Sequence, residues 1–259
     1  MSAPVTTYSE GAVGIIELSR PEKFNCLSRE THGLIDKARV DFEANSAIRA
    51  LLIRATGKHF CTGADLDEVK GIMTNADALD DFIASGMGTF SRLEKCSLPV
   101  IVAVQGLCLA GGTELMLSAD ICFAGKSAKF GDQHAEFGLI PGWGGSQRLT
   151  RLIGMRRALD LMFSARWLSA DEGKEAGLVN YLVEDDELHS KALDYAQTVA
   201  TRSRRGIAEM KRLARDGIEM SLEQGLRLER DAAVRHLQDS DVAEGLDAFE
   251  NRRKPKFKQ

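Results

Sequence analysis

A glycine-rich turn that carries one acidic residue lies near the middle of the chain, at Leu-Ala-Gly-Gly-Thr-Glu over 109–114. An apolar run precedes it over 99–105 and another follows over 115–119, so the pattern predicts a strand, the turn and a short buried helix. Such a helix start directs free backbone N–H groups at an anion, and glycines let a ligand approach the main chain. Donors beside Glu114 suit a reaction at a carbonyl group. The hexapeptide alone fits an ordinary glycine-rich helix start equally well.

A histidine stands between two acidic residues in a predicted loop, as Asp132, His134 and Glu136. Glu114 and Glu136 could act as paired carboxylates in acid–base chemistry, although their spacing does not show that they meet. An isolated loop histidine is more often an ordinary surface residue. The basic tail over 252–258 is either a solvated terminus or a clamp for phosphate groups.

The composition excludes several classes of protein. A formal net charge of −4, from 34 Lys and Arg against 38 Asp and Glu, argues against a nucleic-acid partner. Five cysteines without CxxC spacing predict reduced, buried thiols in a cytoplasmic protein, and five histidines without a ligand motif argue against a metal site. No signal-peptide pattern is present, and no run reaches the roughly 18 apolar residues of a membrane span. The turns at Gly63 and Gly111 fit neither the dinucleotide-binding nor the P-loop motif.

The elements that must position these residues alternate along the first two-thirds of the chain. Strands are predicted over 12–18, 50–54, 100–106, 120–124 and 178–183. Helices are predicted after Ser28, over 67–70, 82–93, 146–153 and 156–163, and after Ser169, with a polar segment over 71–80 that is expected to be mobile. From Glu187 to about Asn251 the pattern is helical throughout. This alternation is typical of an α/β fold with a parallel sheet and crossover helices.

Taken together, six segments resemble the enoyl-CoA hydratase/isomerase, or crotonase, superfamily along essentially the whole chain. They lie at 20–27, 60–66, 99–115, 130–131, 139–149 and 249–257, and their order and spacing are specific although each is weak alone. The resemblance implies a crotonase-like spiral of ββα units over 1–190 and a helical trimerisation region over 191–259. It also implies self-association as a trimer or a dimer of trimers, and no cofactor beyond the coenzyme A of the substrate. Neither a nucleic acid nor a membrane is expected as a partner.

The same resemblance gives the two glycine turns a shared role. The backbone N–H groups of Ala64 and Gly111 would form an oxyanion hole for the carbonyl of an acyl-CoA thioester and so stabilise an enolate. Donors of this kind contribute on the order of 3–4 kcal/mol each. The implied CoA-binding residues are Lys23, Cys26, Leu27, Ala64, Asp65 and Leu66, with Phe249, Arg252 and Lys254 reaching the CoA of a neighbouring subunit.

Glu114 matches the first catalytic glutamate of the hydratases, whereas the second carboxylate is replaced. The hydratase glutamate stands third after the residue equivalent to Gly131, which is His134 here, and Glu136 follows two residues later. Gly142 agrees with the hydratases, as a residue that positions water or substrate; dienoyl isomerases carry aspartate there. We therefore expect water addition to a 2,3-enoyl-CoA, with Glu114 as general base and His134 or Glu136 as its partner. Double-bond isomerisation, thioester or C–C hydrolysis, and acyl-CoA binding without catalysis are the alternatives.

Overall fold

A six-stranded sheet forms the centre of the computed structural model, which describes residues 3–258. Its strands, in spatial order, are β1 (Val5–Glu10), β2 (Val13–Leu18), β3 (Ala50–Ala55), β4 (Val100–Val104), β6 (Ile121–Gly125) and β9 (Tyr181–Val183). All neighbours run parallel except β1 and β2, which form an antiparallel hairpin. The predicted α/β fold with a parallel sheet is therefore confirmed, and β1 is an edge strand that the sequence reading missed.

A second, three-stranded sheet carries the elements nearest the two glycine turns. Its order is β5 (Leu107–Leu109), β7 (Lys129–Gly131) and β8 (Leu168–Ser169). The single strand predicted over 100–106 was wrong, because Gly106 adopts a φ of +53° and turns the chain from β4 into β5. A Cβ at Gly106 would lie 2.1 Å from the carbonyl oxygen of Lys58, so this turn requires glycine.

Eleven helices occur within residues 3–258. They are α1 (Arg29–Ala44), α2 (Leu66–Ile72), α3 (Ala76–Glu94), α4 (Gly111–Leu117), α5 (Gly145–Ile153), α6 (Met155–Ser164), α7 (Ala170–Glu175), α8 (Leu188–Ala200), α9 (Arg204–Gly217), α10 (Leu222–His236) and α11 (Ser240–Glu250). The predicted caps Ser28 and Ser169 are confirmed. The helix start expected at Phe82 was wrong, because the Asn75 side chain accepts from the N–H of Ala78 and caps α3, which begins at Ala76, six residues earlier.

The main sheet is buried on both faces, as parallel strands usually are. On one face, alternate residues such as Ile53 and Val102 join the larger apolar core with α1, α3 and α4. On the other, Leu52 and Ile101 pack against the small side chains along α8. Helix α8 thus packs on the sheet although it crosses the division predicted at residue 190, and that division stays a prediction.

None of the helices in the described part of the chain is long and apolar enough to cross a bilayer.

Candidate active site

Glu114 is held in a buried position between α4 and the loop that leads into α5. Its side chain is 2% exposed, and Oε1 accepts hydrogen bonds from the backbone N–H of Trp143 at 2.7 Å and of Gly145 at 2.8 Å. Burial raises the pKa of the Glu114 carboxyl above its ordinary value, while the two N–H donors and the nearby His134 oppose that rise. One oxygen is therefore fixed by the backbone, which leaves Oε2 to face the site.

The start of α4 is anchored to strand β7. The backbone N–H of Ala110 donates to the carbonyl of Gly131 at 2.9 Å, and the buried Thr113 hydroxyl lies 2.8 Å from the carbonyl of Cys108 and 2.9 Å from that of Gly131. Ala110 itself adopts φ +48° and ψ −119°, a conformation that L-residues rarely occupy. Such strain persists only where surrounding contacts enforce it, and it is typical of functional turns.

The two glycine turns meet at the N-terminus of α4. A Cβ built on Gly63 would lie 3.2 Å from the backbone nitrogen of Gly111, so the turns are in contact. The N–H groups of Ala64 and Gly111 have no acceptor within residues 3–258. Ala64 is held in place because Leu27 bridges it, donating to Gly63 and accepting from Asp65, both at 2.8 Å. Two donors without an acceptor among the described residues thus lie on contacting turns, and one of these turns leads into the first turn of α4, which carries Glu114.

His134 faces Oε2, the second carboxylate oxygen of Glu114. Its Nδ1 is 3.0 Å from Oδ1 of Asp132, and its Nε2 is 3.9 Å from Oε2 of Glu114. Burial lowers the pKa of His134, but the hydrogen bond and charge of Asp132, together with Glu114, outweigh it and raise the pKa overall. Asp132 is buried and was not among the predicted site residues, although an acidic residue two positions before the histidine was the available signal.

Glu136 does not reach this cluster. It lies in a short 3-10 turn over 134–137 with an exposed side chain, and it forms no hydrogen bond or ion pair with any other described residue. Of the two candidates for the position opposite Glu114, the structure therefore brings only His134 to it.

The buried indole of Trp143 packs beside the turn at Gly111, a contact that the sequence analysis did not predict. A Cβ at Gly111 would lie 2.4 Å from its Cζ3, and one at Gly86 of α3 would lie 2.5 Å from its Nε1. The buried His32 ring packs edge-on against it at 4.6 Å. The indole therefore fills the space between α3 and α4.

Gly142, the residue before Trp143, has a backbone N–H without an acceptor in the part of the chain described.

The first group of predicted CoA-binding residues lies together at the start of α2. Asp65 caps α2, the guanidinium Nη2 of Arg20 lies 3.4 Å from its Oδ2, and the same nitrogen donates to the carbonyl of Cys26 at 2.8 Å. The exposed Lys23 ammonium pairs with Asp67 at 3.2 Å, while Leu27 is fully buried and Leu66 is half-exposed.

The second group of predicted CoA-binding residues is exposed at the end of α11 and comprises Phe249, Arg252 and Lys254.

This arrangement can bind a carbonyl oxygen and move protons beside it. The free N–H groups of Ala64 and Gly111 are placed to stabilise developing negative charge. Glu114 and His134 provide a carboxylate and an imidazole facing one another. Within residues 3–258, no group of three or more His, Cys, Asp or Glu side chains is arranged to hold a metal ion.

Comparisons with known proteins agree with this geometry. The family model described as Enoyl-CoA hydratase/isomerase matches residues 8–259. A probable enoyl-CoA hydratase of Rhizobium meliloti is 36% identical over 250 residues, covering 96% of both chains, and a short-chain-enoyl-CoA hydratase of Clostridium acetobutylicum is 34% identical over 251 residues, covering 96% and 95%. The crystal structure of an enoyl-CoA hydratase from Bacillus anthracis superimposes with a TM-score of 0.94 at 33% identity, covering 98% and 99%. The predicted crotonase-like fold is confirmed, and the chain belongs to the enoyl-CoA hydratase/isomerase family.

Proposed function

We propose that this chain is an enoyl-CoA hydratase, a lyase that adds water across the 2,3 double bond of an enoyl-CoA thioester. The observation that carries the proposal is the pair Glu114 and His134, 3.9 Å apart, with Glu114 in the first turn of the helix that starts at Gly111, whose N–H has no acceptor within residues 3–258. The names of relatives at about 35% identity over nearly the whole chain support the same activity.

In the proposed reaction the thioester carbonyl accepts hydrogen bonds from the N–H groups of Ala64 and Gly111. Glu114 takes a proton from water as the water oxygen bonds to C3, and the electron pair of the double bond moves toward the carbonyl to give an enolate. The donors stabilise that enolate because they are already oriented. Protonated His134 then delivers its proton to C2. Transfer of the proton on Glu114 to His134 restores both groups, so one water is consumed and the product is a 3-hydroxyacyl-CoA.

Asp132 would keep His134 protonated and oriented during this cycle. Its carboxylate binds Nδ1, so that Nε2 is the nitrogen that faces Glu114. Gly142 would position the attacking water or the substrate through its free N–H.

The coenzyme A portion would lie along the start of α2, held by Lys23, Cys26, Leu27, Ala64, Asp65 and Leu66. Phe249, Arg252 and Lys254 would serve the site of a neighbouring subunit, in a trimer or dimer of trimers formed by the region over 191–259. Supporting this, the C-terminal helices expose large apolar side chains, among them Leu222, Leu237, Leu246 and Phe249. The enzyme would need no cofactor beyond the CoA of its substrate. A cytoplasmic location is consistent with five free thiols.

Thioester hydrolysis is the second candidate, favoured by one observation. His134 is hydrogen-bonded to a buried aspartate, and such a pair can also activate water for attack at the carbonyl carbon instead of C3. Hydrolysis would release a free thiol, whereas hydration would not.

The test follows both products from crotonyl-CoA at once. The expected result is loss of the absorbance of the conjugated thioester without thiol release. When 3-hydroxybutyryl-CoA is supplied instead of crotonyl-CoA, the same absorbance should appear. Thiol release in step with the absorbance change would establish hydrolysis instead. Calorimetric binding of CoA thioesters with no turnover on short, medium or aromatic enoyl-CoAs would contradict both.

A further inference from the structure

We infer that helix α9, in the C-terminal helical region, positions Glu114 through a chain of ion pairs that ends on Arg148. This inference deepens the site above and rests on the proposed function. This ion-pair network joins Lys211 and Arg215 of α9 to the peptide that holds the Glu114 carboxylate.

The last link is the Trp143 peptide, which is held at both ends. Nη1 of Arg148 donates to the Trp143 carbonyl at 2.8 Å, and the Trp143 N–H donates to Oε1 of Glu114 at 2.7 Å. Arg148 belongs to α5, one turn after Gly145, the second donor to Glu114. A shift of the Arg148 guanidinium therefore moves the backbone that fixes the carboxylate.

The middle link is Glu94, at the C-terminal end of α3. Its Oε2 accepts from both Nε and Nη2 of Arg148, at 2.9 and 2.8 Å, and its Oε1 accepts from Nη1 of Arg215 at 2.7 Å. Two guanidinium groups thus share one carboxylate. Arg148 has only 14% of its side chain exposed, so solvent screens this contact less than a surface pair.

The first link is Asp120, just before strand β6. Its Oδ1 lies 2.7 Å from Nη2 of Arg215, and its Oδ2 lies 2.7 Å from Nζ of Lys211 and accepts from the N–H of Val100 at 2.8 Å. Positive and negative side chains alternate along this ion-pair network, from Lys211 to Asp120, Arg215, Glu94 and Arg148. Arg215 is the only member with one guanidinium nitrogen on each of two carboxylates from different elements.

Arg215 is consequently a positioning residue that acts through Arg148 and Trp143, without touching the substrate. The experiment compares Arg215→Met with Arg212→Met, a matched control on the same helix whose two ion pairs, with Glu209 and Asp216, stay within α9. Arg215→Met should lower kcat for crotonyl-CoA roughly 3- to 10-fold with KM nearly unchanged. Arg212→Met should leave both constants at wild-type values.

A second readout does not depend on the reaction. Amide hydrogen exchange at Trp143 and Gly145 should accelerate in Arg215→Met but not in Arg212→Met, while exchange in strand β4 stays protected in both. Arg215→Lys should restore only part of kcat, because one ammonium cannot present the guanidinium fork to two carboxylates. In an Arg148→Met background, Arg215→Met should lower kcat no further, because the ion-pair network is already interrupted at Arg148.

The inference is overturned if Arg215→Met keeps both kcat and the exchange rates of Trp143 and Gly145, or if β4 exchange accelerates equally, which would indicate general destabilisation. Additive losses in the double variant would overturn it as well. If the wild-type protein does not hydrate crotonyl-CoA and the local exchange still accelerates, the proposed function fails and the positioning role stands.

Discussion

Nε2 of His134 lies 3.9 Å from Oε2 of Glu114, and the two groups come from different parts of the fold. Glu114 belongs to the first turn of α4, whereas His134 follows strand β7. The separation is too long for a direct hydrogen bond, yet it allows both groups to contact one water molecule or one substrate atom. Both are largely buried, so protonation of one changes the charge that the other experiences.

His134→Ala should lower kcat for crotonyl-CoA by about 10²- to 10⁴-fold, because a positioned proton donor contributes that much. Glu136→Gln is the matched control, two residues along the same turn with an exposed side chain, and should keep wild-type kcat. Steady-state kinetics of both variants provide the measurement. The reverse pattern, with activity lost in Glu136→Gln and kept in His134→Ala, would show that the partner of Glu114 has been misassigned.

The pH profile of kcat should be bell-shaped. Glu114 must be deprotonated, and its raised pKa puts the acid limb above the ordinary value of 4.5. His134 must be protonated, and its raised pKa puts the alkaline limb above the ordinary value of 6.5. Asp132→Asn removes the negative charge that helps to raise the pKa of His134 and leaves only a neutral amide oxygen as acceptor for Nδ1, so the alkaline limb should move to lower pH. A kcat profile of Asp132→Asn with its alkaline limb unmoved would contradict this role of Asp132.

Gly86→Ala should destabilise the fold, because the new Cβ would meet the Trp143 indole at 2.5 Å. Overpacking of this kind costs about 1–3 kcal/mol in the free energy of unfolding. Gly33→Ala is the control, since Gly33 is exposed on α1 and its added Cβ meets nothing within 4 Å, so a gain of up to about 1 kcal/mol is expected. Denaturant unfolding measures both, and equal effects of the two changes would argue against the packing described for Trp143.

Thr113→Val should reduce both stability and kcat, since it leaves the carbonyls of Cys108 and Gly131 without their shared hydroxyl. The loss of a buried hydrogen bond costs about 1–3 kcal/mol, and the start of α4 loses an anchor to β7. Thr113→Ser keeps the hydroxyl and should retain most of kcat. Thermal unfolding and crotonyl-CoA kinetics test the pair; a Thr113→Val protein as active as Thr113→Ser would show that this anchor does not set the geometry of the turn.

The strands of the main sheet could be predicted because β-branched and apolar runs between turn residues specify them locally. Two features of the fold depended on contacts that the local sequence does not show. The mixed polar segment over 5–10 forms β1 because it pairs with β2, and the run over 100–106 divides because Gly106 packs against Lys58. The start of α3 depended on one cap, Asn75, that the polar composition of 71–80 concealed.

Within the site, Glu114 and the turn at Gly111 could be located together because their motif is contiguous, whereas only the family resemblance related the turn at Gly63 to them. The choice between His134 and Glu136 could not, since it depends on the 3-10 turn that points one side chain inward and leaves the other exposed. The N–H of Trp143 donates to Glu114, 29 positions away, and the guanidinium of Arg148 donates to Glu94, 54 positions away. Such contacts follow from tertiary packing and have no sequence spacing of their own.

The most direct test of the proposed hydratase mechanism is the rate of crotonyl-CoA hydration by Glu114→Gln. The amide oxygen can still accept from the N–H groups of Trp143 and Gly145, so the fold and CoA-thioester binding should be preserved. The account predicts that kcat falls by about 10²- to 10⁴-fold while the Kd for a CoA thioester stays unchanged. A Glu114→Gln protein that hydrates crotonyl-CoA within a few-fold of the wild-type rate would contradict it.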